Sequence, residues 1–172
     1  MSGHNKWSQI KHQKGVTDKK RGLAFGKVLK AIAVAARTEP NPESNPRLRS
    51  LIEKARNEAV PKENIERAIG KARDGDALEE LVIEAYGPAG IAIMIGAITD
   101  SRNRTMGEIK HLLSKNGGKF AEQGSVRWAF DGAIPKFPQA IGAEDAERAR
   151  ALIALLEEND DVQDVVTNMK SE

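Results

Sequence analysis

The sequence predicts an α+β protein in two modules: an N-terminal three-helix domain, then a ferredoxin-like antiparallel sheet with helices on one face, in the order β-β-α-β-β-α-β. Two observations predict it. Apolar residues recur at helical spacing up to about residue 70 and alternate from Leu81 onward. The charge changes sign at the same place. Residues 1–75 hold 17 Lys/Arg against 8 Asp/Glu, whereas residues 76–172 hold 10 against 17, so a net charge of +2 hides a half at +9 and a half at −7. The polar stretch ARDGDA (72–77) is the expected junction, giving a basic arm and helical domain over 1–75 and an α+β sandwich over 76–172.

Residues 1–16 show no sustained period and are expected to form an extended arm ending in a turn at Gly15, with Thr17 as N-cap of the first helix. From Asp18 to Arg37, Phe25, Val28, Leu29, Ile32 and Ala36 form one apolar stripe. TEPNPESNP (38–46) reads as a loop. Asn45 then caps a second helix with Pro46 at its first position, where a missing N–H costs nothing. Leu48, Leu51, Ile52 and Ala55 mark its inner face. Pro61 starts a third helix, with Ile65, Ala68 and Ile69 inward and Gly70 as its expected stop.

Leu81, Ile83 and Ala85, the turn GPAG (87–90), and Ile91, Ile93, Ile95 and Ala97 read as a β-hairpin. A helix carrying Met106, Ile109, Leu112 and Leu113 follows TDSRNRT and stops at Gly117-Gly118. GSVRWAF (124–130) reads as a strand with Val126, Trp128 and Phe130 on one face. Asp131-Gly132 is a two-residue hairpin signal, and AIPKFPQAI, with two prolines, reads as a short edge strand. Glu144–Glu158 reads as a helix with Ala149, Leu152, Ile153 and Leu156 inward. VQDVVTNM (162–169) is the expected last strand.

Composition removes several classes of chemistry. Without cysteine there is no disulfide framework, thiolate nucleophile or Cys-bound metal. His4, His12 and His111 are not spaced as metal ligands. Phosphate-loop, dinucleotide and serine-hydrolase motifs are absent from the sequence. Adjacent acid pairs such as Glu79/Glu80 and Asp160/Asp161 do not converge on one helical face. We therefore expect no enzyme activity, cofactor, metal or small-molecule substrate. With no apolar run near the ~20 residues that span a bilayer, and a polar, basic start unlike a secretory signal, a cytoplasmic location is expected.

The basic half is the informative feature. The first 37 residues hold nine Lys/Arg and one acid, Asp18. Lys6, Lys11, Lys14, Lys19, Lys20, Arg21, Lys27 and Lys30 are candidates for phosphate contact, since clustered cations bind nucleic acid through counterion release. Trp7, among lysines, either stacks on an exposed base or anchors the arm onto the helical domain. Arg102 and Arg104 open the helix after the first hairpin, where cations oppose the helix dipole; a phosphate or carboxylate facing them would offset that cost.

Several ordered segments carry a family resemblance: GHNKWSQIKHQKG, KRGLAFGKVLKAIAVAAR, NPRLRSLIEKAR, PKENIERAIGKA, YGPAGIAIM, TDSRNRT, SKNGGKF, GSVRWAF and LLEENDDVQDVVTNM. Together they resemble the YebC family over nearly the whole chain. The resemblance implies a nucleic-acid-binding regulator of gene expression, in the first instance a DNA-binding transcriptional regulator. It equally admits a translation factor docked on ribosomal RNA or the ribosome, because mitochondrial members activate translation of a cytochrome oxidase subunit and others act on ribosomes stalled at proline-rich stretches. A protein-interaction module that binds no nucleic acid is the third reading. Family members usually carry a further α/β domain between the segments matching GSVRWAF and AIPKFPQAI, which Asp131-Gly132 here joins directly. No membrane partner is implied, and the oligomeric state is left open.

Overall fold

The computed structural model describes the backbone of residues 3–75 and 77–170, and side chains from residue 17 onward. The chain divides into two compact units, Met1–Gly75 and Asp76–Glu172.

The first unit is helical: α1 (Gly3–Ala36), α2 (Pro46–Asn57) and α3 (Lys62–Lys71). The expected extended arm is corrected, because α1 runs from Gly3 through Gly15 and Thr17 without a turn or cap. No proline precedes Pro40. A single interior glycine costs only about 1 kcal/mol relative to alanine, and the Lys and Gln residues around it are good helix formers. Val28, Ile32, Ala35 and Ala36 of α1 meet Leu48, Ile52 and Ala55 of α2 and Ile65 and Ala68 of α3, with Val60 closing the core and Phe25, Leu29, Leu51 and Ile69 at its margin.

Asn45 ties these pieces together. Its side-chain oxygen accepts the Leu48 N–H at 3.0 Å, and its Nδ2 donates to the carbonyls of Ala35 and Glu39. It thus caps α2, with Pro46 in the first turn, and also holds the end of α1. Beyond α2, Ala59 takes a left-handed φ of 61°. Its N–H donates to Arg56 O, while the N–H of buried Val60 donates to Ala55 O. This pair of bonds is a Schellman closure, normally built on glycine. Gly70 is not the stop expected for α3: the helix continues through it to Lys71, and the left-handed residue beyond is Gly75, φ +75°.

The second unit holds β1 (Glu79–Tyr86), β2 (Ala92–Thr99), α4 (Arg102–Lys115), β3 (Lys119–Phe120), β4 (Phe130–Asp131), β5 (Ile134–Pro135), α5 (Ala143–Glu157) and β6 (Val162–Thr167). It is an α+β sandwich around an antiparallel four-stranded sheet in the order β3-β1-β2-β6, with β1 and β2 in register at Ile83↔Ile95. Alternation decides the faces. Leu81, Ile83, Ala85, Ile93, Ile95 and Ala97 point toward Ile109 and Leu113 of α4 and Ala149, Leu152 and Leu156 of α5, forming the main core. On the other face, Ala92, Met94 and Val166 pack against Val126, Ala129 and Phe130.

The segment covering that second face departs from expectation. GSVRWAF is not a strand: Arg127–Ala129 is a 3-10 turn, and only Phe130 and Asp131 pair, with Pro135 and Ile134. That two-stranded ribbon is separate from the main sheet, so neither GSVRWAF nor AIPKFPQAI supplies a strand of the four-stranded sheet, although AIPKFPQAI contributes the short strand β5 to the ribbon and an isolated parallel bridge from Gln139 to Met169. The sheet position beside β1 is filled instead by β3, which the sequence pattern does not reveal, and the order becomes β-β-α-β-β-β-α-β. The hairpin loop is Gly132-Ala133, one residue later than the Asp131-Gly132 signal, with Gly132 at φ +60° as such tight turns require. Trp128, expected to share one face with Val126 and Phe130, is 64% exposed while those two are buried. The cause is Glu84, whose buried carboxylate accepts the backbone N–H groups of Gly124, Val126 and Arg127 at 2.7, 2.8 and 3.0 Å. Those donors are committed to a carboxylate and turn the chain away from a ladder.

Candidate nucleic-acid interface

The basic residues of α1 sort by angle. At about 100° per residue, Lys19, Lys20, Lys27 and Lys30 fall within an arc of about 100° opposite Ile32, over roughly 16 Å of axis. Arg21 and Asp18 fall on the side of Phe25 and Ile32. Lys19, Lys20 and Arg21 are exposed, and Lys27 and Lys30 are half-buried. The apolar stripe thus anchors α1 in its unit while the opposite arc presents Lys19 and Lys20 to solvent, with Lys27 and Lys30 half-buried along it. Lys6, Trp7, Lys11 and Lys14 belong to the same helix, but their side chains lie outside the described residues.

In the second unit, Arg102 and Arg104 occupy the first turn of α4, which holds no acidic residue. Their environments differ. The exposed Arg102 reaches Glu79 at 3.5 Å. Arg104 donates to buried Asp161 at 2.9 Å and to Asp100 at 2.8 Å, with Glu108 at 4.0 Å. Its hydrogen bond to Asp161 and then that to Asp100 push the guanidinium pKa further up. Asp161 also accepts the buried Thr105 hydroxyl at 2.7 Å, and that hydroxyl lies 2.8 Å from the Thr99 hydroxyl. The carboxylate facing Arg104 is therefore supplied from within the fold, and Arg102 is the more available cation of the two.

A cleft of about 330 Å³ beside β1 is lined by Glu80, Glu84, Arg102 and Arg127 among others. Glu84 there is already satisfied by three backbone donors. Burial raises its pKa, but those three bonds and the nearby Arg127 charge outweigh burial and leave it lowered, the reverse of what a general acid at neutral pH needs. Among the described residues, no group of three His, Asp or Glu is placed to hold a metal ion, and no helix is long and apolar enough to cross a membrane.

A second group of surface residues escapes the sequence pattern. Trp128 and Phe137 form an exposed aromatic pair with ring centroids 5.6 Å apart, beside exposed Arg127 and Lys136. The signal is present as Arg-Trp and Lys-Phe on two facing segments, but the alternation of Val126, Trp128 and Phe130 places the indole on one strand face with two residues that the structure buries.

Residues 5–75 match the TACO1/YebC protein N-terminal domain, and residues 78–134 match the TACO1/YebC second and third domain. The chain belongs to the TACO1/YebC family. A probable transcriptional regulatory protein of Solibacter usitatus is 50% identical over 134 residues, covering 76% of this chain and 54% of that protein. One from Thermosipho melanesiensis is 37% identical over 235 positions, covering 98% of this chain and 93% of its own length. The crystal structure of a conserved hypothetical protein from Aquifex aeolicus superposes with a TM-score of 0.83 at 31% identity, covering 88% of this chain and 90% of that one. The chain spans about half the length of the first curated relatives it matches. The Thermosipho alignment leaves more than sixty of its 235 positions without a residue in this 172-residue chain. The second-domain match ends at Ile134, immediately after the Gly132-Ala133 turn.

Proposed function

We propose that this chain is a non-enzymatic, nucleic-acid-binding regulator of gene expression, gripping duplex DNA through the cationic arc of α1. The observation that carries the reading is that arc: exposed Lys19 and Lys20 on the side of α1 opposite its buried stripe, with Lys27 and Lys30 in line. A straight row of cations with no base-reading geometry contacts phosphate and positions without specifying sequence. The names of the relatives, probable transcriptional regulatory proteins, support the regulatory class. Arg102, exposed on the second unit beside Glu79, is a further candidate phosphate contact, and the cytoplasm is where such a regulator acts.

The test is a titration of a fluorescent duplex at several salt concentrations, with the wild-type chain and a Lys19→Ala/Lys20→Ala/Arg21→Ala variant. Affinity should fall steeply with salt, and the variant's log–log slope should be shallower by about 0.9 for each phosphate it no longer neutralises. Exposed substitutions of this kind move stability by less than about 0.5 kcal/mol each, so the fold persists. Equal affinity and equal slope would sink the reading.

A further inference from the structure

We propose that Trp128 and Phe137 form a stacking site for unpaired bases of an RNA strand, with Arg127 and Lys136 contacting the flanking phosphates. The inference rests on the nucleic-acid reading above and adds a second contact of different chemistry, on the other unit. Trp128 is 64% and Phe137 57% exposed, and their rings are tilted by 47°. Apolar surface of this size on a soluble domain needs a reason.

The indole is also held in place. Its Nε1 donates to Ser125 O at 2.8 Å, and the backbone on either side of Ser125 is fixed by the Glu84 carboxylate through Gly124, Val126 and Arg127. On the facing segment, the Lys136 N–H donates to Ala129 O at 2.8 Å, which sets Phe137 opposite Trp128. A ring fixed by a buried carboxylate offers its face at little entropic cost on binding.

Charge selects the occupant. The second unit is acidic overall, and Arg102, Arg104 and Arg148 are each paired with carboxylates. Arg127 and Lys136 are exposed and make no direct ion pair among the described residues, although the Arg127 charge acts on the nearby Glu84 carboxylate, and each is adjacent in sequence to one ring of the pair. Asp131 is the single acid between positions 127 and 138. An aromatic face flanked by exposed cations matches a base and its phosphates, whereas a purely apolar protein partner would leave both cations to be desolvated. RNA is the nucleic acid that ordinarily presents unpaired bases.

The experiment uses the full chain, a 12-nucleotide single-stranded RNA and the same RNA as a duplex. With fluorotryptophan incorporated, the ¹⁹F signal absent from Trp128→Phe is that of Trp128. That signal should move with single-stranded RNA and stay still with duplex. Trp128→Ala should weaken single-strand binding by at least about fivefold, toward a hundredfold, and leave duplex affinity unchanged; Trp128→Phe should retain most of the binding. Glu84→Gln, acting through the loop, should weaken it less. Unchanged single-strand affinity in both Trp128→Ala and Phe137→Ala would overturn this proposal while leaving duplex binding by α1 standing. Failure of the wild-type chain to bind the single-stranded RNA would also overturn this proposal, and the duplex-DNA reading of α1 would still stand or fall by its own salt titration. Self-association abolished by Trp128→Ala, with no RNA-dependent shift, would assign the patch to a protein contact and overturn the proposal.

Discussion

The Glu84 carboxylate accepts the backbone N–H of Val126 at 2.8 Å, a buried bond spanning 42 residues of sequence. With the bonds from Gly124 and Arg127 it fastens the segment that covers one face of the sheet. Removing the carboxylate orphans these donors, of which Val126 N–H is buried. Glu84→Ala should therefore destabilise the second unit by about 2–4 kcal/mol, read as a lower urea midpoint. Glu84→Gln should also destabilise, because its amide nitrogen would face backbone donors.

The same bonds give a pH signature. Glu84 has a folded-state pKa below its ordinary value of 4.5: burial opposes the shift, and the three N–H bonds and Arg127 outweigh it. A lowered folded pKa means that the unfolded chain takes up the proton first as pH falls. The stability contributed is present above about 4.5 and is lost as pH drops through the lower folded value. Urea titrations of wild type and Glu84→Gln should show a constant stability gap from pH 7 to 5 that narrows below 4.5. A gap that does not change with pH would show that the carboxylate's charge contributes nothing.

Arg102 and Arg104, two residues apart, should behave oppositely. The Arg102–Glu79 contact is exposed at 3.5 Å, and Arg102→Ala should shift stability by less than about 0.5 kcal/mol. Arg104→Ala deprives buried Asp161 of a donor and should lower the unfolding midpoint measurably. Asp161→Ala should be the most damaging of the three, by about 2–4 kcal/mol, since it strips partners from both Arg104 and the buried Thr105 hydroxyl. Chemical denaturation of the three variants side by side checks the ranking.

Ala59 should be a site of easy stabilisation. It occupies the left-handed position of the Schellman closure after α2 at φ 61°, where a Cβ is strained by about 1–2 kcal/mol. It is exposed, so its methyl contributes no core packing. Ala59→Gly should raise stability by about 0.5–1 kcal/mol, the strain relieved less the entropy glycine loses on folding. A lower melting temperature in the variant would contradict the assignment.

What was legible in the sequence follows from how local each signal is. The Asn45-Pro46 cap, the stripe Val28–Ile32–Ala36 and the alternation of Leu81, Ile83 and Ala85 are local patterns, and the structure carries them unchanged. GSVRWAF alternates as well as any strand, but its donors are captured by a glutamate some forty residues earlier, and no local pattern announces that capture. Residues 3–16 lack an apolar period and are nevertheless helical, so a missing period does not exclude a helix. The candidate site divides in the same way. The cations of α1 are legible as composition and sort by helical angle, while the exposed pair Trp128–Phe137 depends on the non-local bonds that Glu84 makes to the segment before and around Trp128.

That angular sorting makes a sharper test of the α1 surface than a triple substitution can. Lys20 lies in the arc opposite Ile32, whereas Arg21, its neighbour in sequence, falls on the side of Phe25 and Ile32 at about 100° per residue. Both are exposed and both carry one charge, so net charge cannot distinguish the single variants. If duplex DNA lies along the arc, Lys20→Ala should reduce the log–log salt slope by about one, and Arg21→Ala should leave it near the wild-type value. Lys27→Ala, two turns further along the same row, should match Lys20→Ala, and the double variant should reduce the slope by about twice as much. Equal slopes for Lys20→Ala and Arg21→Ala would mean that the helix attracts DNA by overall charge alone. A larger reduction at Arg21 would move the contact to the other side of α1, the side toward which its buried stripe is turned.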